Sequence, residues 1–277
     1  MTTLNTFDPN THIQTITVVG LGGTGAQVAR SVARMVYDMK AARMHTPQIV
    51  LIDPDKVEQK NVGRQLYTEA DVGQAKAYVL MRRFNMALGL DTIAIDQPVN
   101  AEKHFERWGN VIVGAVDNHL ARRELAKANG AIWIDAGNHF NAGQVIVGNT
   151  SDSETALRYI DGQNGRYAYL PNAGLLFPAL LEPEPEAKPQ SEPERSCAEL
   201  VATREQDLLI NDWIATITSQ YIYKLLHRQP IHSFVSYVSA DGMSVRSVPI
   251  SRDELMSRLF YMNSNITVEK PAFPAQV

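Results

Sequence analysis

Six residues near the amino terminus could hold the phosphates of a nucleotide. Residues 20–25 read GLGGTG, directly after a short apolar run and directly before a segment with helical periodicity. Glycine lets a backbone turn sharply and approach phosphate oxygens, and the first turn of a helix presents free N–H groups. A threonine hydroxyl there could donate a further hydrogen bond. The candidate phosphate-binding residues of this glycine loop are Gly20, Gly22, Gly23, Thr24 and Gly25.

A second group of polar residues follows the next apolar run, residues 49–52. Asp53 closes that run, where a carboxylate accepts hydrogen bonds from ribose hydroxyls in NAD and ATP sites alike. The chain has no G-K-[ST] sequence, so this is not a Walker A loop and the cations for the phosphates must come from elsewhere. Arg64 offers a planar guanidinium to phosphate oxygens and Lys76 a mobile point charge, which makes both candidates for catalysis.

A third candidate group follows the apolar run at residues 111–116. Asp117 would lie at the carboxyl end of a strand, where its carboxylate is suited to ligate Mg²⁺. Asn118 could contact the nucleotide or could simply cap the following helix. Asn61 and Gln65 can donate neutral hydrogen bonds. The glycine loop and these side chains predict nucleotide binding but leave the nucleotide open.

The segments that must position these residues alternate between strand-like and helix-like patterns. This alternation predicts a Rossmann-like α/β fold, doubly wound around a mostly parallel sheet, with the ligand at the carboxyl ends of the strands. The strand-like runs are residues 16–20, 49–52, 92–95, 111–116, 131–134 and 144–147, and helices are expected to include residues 74–88 and 120–129.

The pattern changes after residue 149. Residues 182–194 are rich in Pro and Glu and cannot contribute to a core, so we expect a mobile excursion. A long apolar helix then precedes two strand-like runs joined at Asp241-Gly242, which predicts a C-terminal antiparallel hairpin. The expected organisation is a nucleotide-binding core at residues 1–150, a flexible crossover at 151–206, a helix and hairpin completing the same domain at 207–261, and a tail at 262–277.

Composition limits the remaining possibilities. The chain has 277 residues, a net charge of −4 and one cysteine, Cys197, so an intrachain disulfide and a Cys-based zinc site are excluded. No block of like charges suggests a nucleic-acid partner. No apolar run approaches the roughly 20 residues that span a bilayer, and the first residues lack the pattern of a signal peptide. We therefore expect a cytoplasmic protein with neither nucleic-acid nor membrane partners.

Four separated motifs together resemble those of the ThiF/MoeB/ubiquitin-activating family. The glycine loop is the first of them. Residues 53–65 (DPDKVEQKNVGRQ) resemble the family's D-x-D-x-V-x-x-x-N-x-x-R-Q signature. Residues 71–77 (DVGQAKA) resemble its D-[VI]-G-x-x-K-A element, and residues 117–122 (DNHLAR) its D-N-x-x-x-R element. The form of the second motif and an S-C-A-E sequence further resemble the ThiF-like proteins of the PRTRC group.

This resemblance implies ATP-dependent adenylation of the C-terminal carboxylate of a small ubiquitin-like protein, one that ends in glycine. It also implies a requirement for Mg²⁺ and a homodimer. In the family, the position matching Asp53 holds the ribose, those matching Arg64 and Lys76 hold phosphates, and that matching Asp117 holds the metal. The other motif positions assigned to nucleotide binding are Asp55, Asn61, Gln65 and Asn118.

Cys197 is the candidate nucleophile for a second step. Residues 196–199 (SCAE) fit a capping box, which would place the thiol in the first turn of a helix, where the helix dipole favours the thiolate. Thioester-forming relatives place their cysteine at about this point of the chain. We therefore hypothesise that Cys197 takes the activated acyl group as a thioester. An incidental surface cysteine is the alternative.

The chain also departs from the family. Homodimeric members usually carry an arginine near the amino terminus that reaches the ATP of the partner subunit, but here the first arginine is Arg30, inside the first predicted helix. Paired CxxC zinc motifs are absent as well. Two alternatives stay open: a non-catalytic nucleotide-binding scaffold, which the missing arginine favours, and an NAD-dependent oxidoreductase, which leaves Arg64 and Lys76 unexplained.

Overall fold

Most strands of the protein belong to one sheet. The structure, a computed structural model, describes residues 4–105, 110–128, 130–183 and 209–261. Its strands are β1 (Thr6–Phe7), β2 (Thr15–Val19), β3 (Gln48–Ile52), β4 (Ile93–Ile95), β5 (Asn110–Gly114), β6 (Ile132–His139), β7 (Ala142–Gly148), β8 (Arg166–Tyr167), β9 (Ser233–Ser239) and β10 (Ser244–Pro249).

The central sheet has eight strands in the order β10-β9-β7-β6-β5-β2-β3-β4. The pairs from β4 through β3, β2 and β5 to β6 are parallel, and the pairs from β6 through β7 and β9 to β10 are antiparallel. This confirms the predicted α/β fold with a mostly parallel sheet and a C-terminal antiparallel hairpin. The parallel strands end together at one edge of the sheet, which we call the carboxyl edge.

Helices cover the sheet. They are α1 (Gly23–Ala41), α2 (Lys76–Leu88), α3 (Ala101–His104), α4 (His119–Ala126), α5 (Ser153–Arg158), α6 (Ala173–Leu176), α7 (Ile210–Leu226) and α8 (Arg252–Tyr261). On α1 the buried residues Val28, Val32, Val36 and Met39 recur at helical spacing and form one apolar face. Helix α1 packs against both α7 and α2. Within the described residues, no helix is long and apolar enough to cross a bilayer.

The strands next to the centre consist almost entirely of apolar side chains because both of their faces are covered. Strand β2 reads TITVV and strand β5 NVIVG, and Ile16, Val18, Val111 and Ile112 are fully buried. This composition is typical of the interior strands of a parallel sheet. The core therefore lies on both faces of the sheet and holds the ends of β2 and β5 in fixed register.

Two features of the fold differ from the expectation. Strands β6 and β7 are longer than the runs at residues 131–134 and 144–147, because they pair as a hairpin beyond the end of the parallel strands. The small parallel sheet of β1 and β8 was not predicted. It belongs to an amino-terminal segment in which the Phe7 N–H donates to the Ile231 oxygen (2.8 Å). Since Ile231 precedes β9, this segment lies at the edge of the sheet opposite the carboxyl edge.

We predict that truncating a central strand costs far more stability than truncating the edge strand. Ile16→Ala in β2 removes a fully buried side chain, and we expect the free energy of unfolding to fall by about 2–5 kcal/mol. Ile93→Ala in β4 is the matched control, because that side chain is 46% exposed, and about 1 kcal/mol or less is expected. Urea unfolding measures both, and equal losses would contradict the described sheet order.

Candidate nucleotide-binding site

The glycine loop folds back on itself at the carboxyl end of β2. A Cβ on Gly25 would lie 1.8 Å from the Gly20 oxygen, so no larger residue fits there. Gly20 itself has a φ of +82°, and a Cβ on it would lie 2.4 Å from the Ala115 oxygen. The loop therefore touches the segment that follows β5. Strand order reverses between β2 and β5, and such a switch point is where open α/β sheets bind ligands.

Helix α1 begins inside this loop without a side-chain cap. Its N-cap residue is Gly22, which has no side chain to accept from the first turn, and the first turn carries no acidic residue. Free N–H groups and the positive end of the helix dipole therefore face the carboxyl edge. This arrangement suits an anion such as a phosphate group.

Asp53 lies beneath the loop and joins it to the segment after β3. Its Oδ2 atom accepts from the Leu21 N–H at 2.5 Å and its Oδ1 atom from the Asp55 N–H at 2.8 Å. The carboxylate is only 4% exposed, and burial raises its pKa, an effect that nearby Lys76 opposes. A ribose hydroxyl would therefore share oxygens that already hold two backbone segments.

Lys76 is a buried cation next to this carboxylate. It is the first residue of α2 and is 6% exposed, and its Nζ donates to Asp55 Oδ2 at 2.9 Å. Asp55 is by contrast 64% exposed at its side chain. A buried charge requires a partner of opposite sign, and here that partner stands at the surface. An incoming phosphate could replace Asp55 as the partner of Lys76 without leaving the ammonium unpaired.

Tyr67 is part of the site and was missed from the sequence. Its hydroxyl donates to the Leu21 oxygen at 2.8 Å, and the ring is 3% exposed. Burial raises the Tyr67 pKa, so the phenol keeps its proton and remains a donor. Gln65 lies over the same loop, with Nε2 3.9 Å from the position of a Cβ on Gly22. Arg64 precedes it in the same loop and is half-buried.

Three predicted nucleotide ligands already have hydrogen-bond partners within the protein. The Asn61 side chain is 3% exposed and its Oδ1 accepts from the Glu58 N–H at 2.8 Å, which closes a short turn. Asn118 is the N-cap of α4, and its Oδ1 accepts from the Ala121 N–H at 2.8 Å. The structure thus shows the capping arrangement that the sequence left open for Asn118. The Thr24 hydroxyl has a partner as well, since it donates to Asn211 Oδ1 on α7 at 3.0 Å.

Asp117 is exposed where the chain leaves β5, two residues beyond Ala115, which touches Gly20. Among the described residues, no cluster of three or more His, Cys, Asp or Glu side chains could hold a metal ion by itself. Mg²⁺ typically binds through one or two carboxylates together with substrate phosphates and water. A single exposed carboxylate beside the glycine loop therefore fits a metal ion that arrives with a nucleotide.

A buried ion pair that was not predicted lies at the same edge. Asp135 on β6 is fully buried, and its Oδ1 accepts from Arg122 Nε at 3.3 Å. Its Oδ2 is buried without a hydrogen-bond partner among the described residues. Burial raises the Asp135 pKa more than Arg122 lowers it. The signal was available, because Asp135 directly follows the apolar run at residues 131–134, as Asp53 follows its own run.

Two further expectations concern Cys197 and the missing amino-terminal arginine. Cys197 lies outside the described residues. No arginine precedes Arg30, and residues 4–14 run along the edge opposite the glycine loop. The amino-terminal segment therefore supplies no cation to the site of its own chain within the described residues.

Comparisons with known proteins place this geometry in a family. A sequence model of the ThiF family matches residues 11–256, whereas no curated protein sequence matches the chain. E. coli MccB crystallised with succinimide has a TM-score of 0.54 and 17% identity over 86% of this chain and 64% of its own. E. coli MccB crystallised with ATP gives 0.53 and 16% over 88% and 65%.

A third solved structure, selenomethionine PaaA, gives a TM-score of 0.53 and 14% identity over 86% of this chain and 64% of its own. In the comparisons with succinimide-bound MccB and with PaaA, the chain thus spans 64% of the other protein's length, which is less than two thirds. Identities this low show a shared fold. Within that fold, the family match covers both the glycine loop and α7.

We predict that the glycine loop tolerates no side chain at residue 25. Gly25→Ala forces a backbone oxygen aside, and we expect a loss of about 3 kcal/mol or more in the free energy of unfolding. Gly63→Ala is the control for backbone strain, because Gly63, unlike Gly25, has a positive φ and has no atom within 4 Å of its Cβ position. Backbone strain alone predicts about 1–2 kcal/mol there. Urea unfolding measures both, and an equal cost would contradict the packing.

We also predict a pH-dependent effect of Asp135→Asn. Folding raises the pKa of the Asp135 carboxyl. The free energy of unfolding of the wild type therefore falls as the pH rises from the pKa of this group in the unfolded state through its pKa in the folded state. Each unit of that rise corresponds to about 1.4 kcal/mol. The melting temperature of Asp135→Asn minus that of the wild type should therefore increase as the pH rises above about 4, the ordinary pKa of an aspartate. Asp96→Asn, at an exposed carboxylate, controls for the lost charge, and a flat difference would contradict the prediction.

Proposed function

We propose, from the premise that this chain belongs to the ThiF family, that it adenylates the C-terminal carboxylate of a small ubiquitin-like protein with ATP. A carboxylate oxygen of the substrate attacks the α-phosphorus of ATP. The bond from that phosphorus to the bridging oxygen breaks, pyrophosphate leaves with the electron pair, and the acyl adenylate remains. The proposed substrate ends in glycine, whose small side chain leaves the attacking carboxylate unobstructed.

The observation that carries this proposal is the uncapped start of α1 at the switch point of the sheet. Gly22 gives the helix no side-chain cap, and a Cβ on Gly20 or Gly25 in the loop around it would collide with a backbone oxygen. An uncapped helix terminus without acidic residues is stabilised by a bound anion. The triphosphate of ATP is the anion that a ThiF-family protein would place there, and E. coli MccB has been crystallised with ATP.

Lys76 and Arg64 would neutralise the charge that develops on the leaving pyrophosphate. Lys76 is buried, so its charge is screened less by water than that of a surface lysine. It can exchange Asp55 for a phosphate oxygen, because that carboxylate is exposed and can be hydrated when released. Arg64 presents a planar fork suited to two phosphate oxygens. Fixed cations of this kind stabilise the transition state more than the bound substrate.

The remaining side chains would orient the nucleotide. Asp53 accepts ribose hydroxyls on its remaining lone pairs while it keeps the loop in place, and Gln65 covers the loop from the other side. Asp117 would ligate Mg²⁺, which supplies Lewis-acid polarisation of the phosphoryl oxygens. Asp55, Asn61 and Asn118 complete the proposed set of nucleotide-binding residues.

The choice of substrate rests on two supports. The motifs of the chain resemble those of enzymes that activate ubiquitin-like proteins, including the ThiF-like proteins of the PRTRC group. E. coli MccB has been crystallised with AMPCPP and selenomethionine MccA. The microcin C7 biosynthetic enzyme MccB has a solved structure in complex with N-formylated MccA. A homodimer is part of this proposal, because members of the family that the motifs resemble are commonly homodimers.

A second step would follow at Cys197. The thiolate attacks the acyl carbon of the adenylate, the bond from that carbon to the AMP oxygen breaks, and AMP leaves. The product is a thioester between Cys197 and the small protein. A Cys197→Ser protein should form the adenylate at an unchanged rate but give no conjugate that a thiol reductant removes. Such a conjugate in the variant would eliminate Cys197 as the acceptor.

We predict exchange of labelled pyrophosphate into ATP that depends on a small ubiquitin-like protein from the same source. Lys76→Met and Asp117→Ala should each lower the exchange rate by about 100-fold or more, because each removes charge stabilisation at the phosphates. Lys56→Met is the matched control, since Lys56 is an exposed lysine of the same segment, and its rate should equal that of the wild type.

The other outcomes identify the alternatives. ATP binding without exchange for any small protein would favour a non-catalytic scaffold. Tighter binding of NAD than of ATP would favour an oxidoreductase. Exchange that survives in both Lys76→Met and Asp117→Ala would contradict the assigned roles of these residues.

A further inference from the structure

We infer that Asn211 is a positioning residue of the nucleotide site, one that fixes the glycine loop to the start of α7. This inference rests on the proposed function for its meaning in catalysis, but the contacts that carry it are independent of any ligand. It concerns three side chains from distant parts of the chain, which we call the Asn211 cluster: Thr24, Asn138 and Asn211.

The cluster is centred on one carboxamide oxygen. Asn211 Oδ1 accepts from the Thr24 hydroxyl at 3.0 Å and from Asn138 Nδ2 at 2.5 Å. Thr24 is in the first turn of α1, Asn138 is near the end of β6, and Asn211 is the second residue of α7. One acceptor therefore ties two helix starts to the extended end of a strand at the carboxyl edge.

The Asn211 side chain also packs directly on the glycine loop. A Cβ on Gly23 would lie 2.9 Å from both Cγ and Nδ2 of Asn211. Gly23 does not have a positive φ, so its backbone conformation does not require glycine. The close approach of the carboxamide gives the physical reason for glycine at this position, and it fixes the distance between α7 and the loop.

Removing this acceptor would free the loop. Thr24 is 6% exposed, and a buried hydroxyl without an acceptor is unfavourable. The first turn of α1 would then shift until the hydroxyl found another partner, and the N–H groups of the loop would move with it. Asn211 thus acts on the nucleotide through the loop that it holds.

The geometry allows a substitution that separates positioning from mere structural support. Both hydrogen bonds of the cluster end on the oxygen of Asn211, so an aspartate at this position keeps both. It would, however, place a negative charge against Gly23, at the start of α1, where we propose that the phosphates bind. A carboxylate there should repel ATP while it leaves the loop in place.

The test compares three variants in two assays. Asn211→Ala removes the acceptor, Asn211→Asp keeps it and adds a charge, and Gln220→Glu adds the same charge at an exposed position of α7 about 13 Å further along the helix. The first assay is amide hydrogen exchange of residues 20–25 without nucleotide. The second is calorimetric binding of ATP and of adenosine, at low and at high salt.

We expect Asn211→Ala to raise exchange in residues 20–25 by about 10-fold and to weaken ATP binding by a similar factor. Asn211→Asp should leave exchange unchanged, weaken ATP about 10-fold at low salt, leave adenosine unaffected and recover ATP affinity at high salt. Gln220→Glu should match the wild type throughout. Adding Thr24→Val to Asn211→Ala should change little, because Asn211→Ala already removes the hydrogen bond of Thr24.

Unchanged exchange in Asn211→Ala would overturn the inference, whether or not the wild type binds ATP. Equal weakening of ATP and adenosine by Asn211→Asp would overturn the position of Asn211 next to the phosphates. Failure of the proposed function looks different. The wild type would then not bind ATP at all, while exchange in the glycine loop would still respond to Asn211→Ala.

Discussion

The buried Asp53 carboxylate accepts backbone N–H groups from Leu21 and Asp55, and the rest of the site depends on this contact. Leu21 lies in the glycine loop, and Asp55 begins the segment that carries Gln65. The carboxylate therefore sets how closely two otherwise separate stretches approach one another. The Tyr67 hydroxyl adds a second link by donating to the Leu21 oxygen. A rigid loop results, and rigidity at a phosphate site avoids reorganisation when charge develops.

Charge in the site is unevenly distributed between interior and surface. The cation Lys76 is buried, while the carboxylates of Asp55 and Asp117 are exposed. Without ligand, the exposed carboxylates are hydrated and Lys76 is paired with one of them. A nucleotide bound with its metal ion would change these partners. Its phosphates would pair with Lys76, and the metal ion would bind one of the exposed carboxylates. Binding would thus exchange ion pairs and leave no buried charge alone.

The sequence was most informative where one residue's surroundings are set by its near neighbours. Runs of apolar residues predicted β2, β3 and β5, because a strand covered on both faces is mostly apolar, and the glycine loop followed from its place between a strand and a helix. The roles of Tyr67 and Asn211 depend on partners far away in the chain, which periodicity does not reveal. The lengths of β6 and β7 depend likewise on their pairing with each other.

The register of the sheet has a consequence for how the chain folds. Strand β6 pairs with β7 through a short turn, and β9 with β10 likewise, whereas Ile16 of β2 must find Val111 of β5. Closing so long a loop is entropically costly and slow compared with forming a hairpin. We therefore expect the β6–β7 and β9–β10 hairpins to form early and the β2–β5 pair late. The glycine loop lies at the carboxyl ends of β2 and β5, the pair that forms late. A newly made chain would therefore gain nucleotide affinity only when folding is complete.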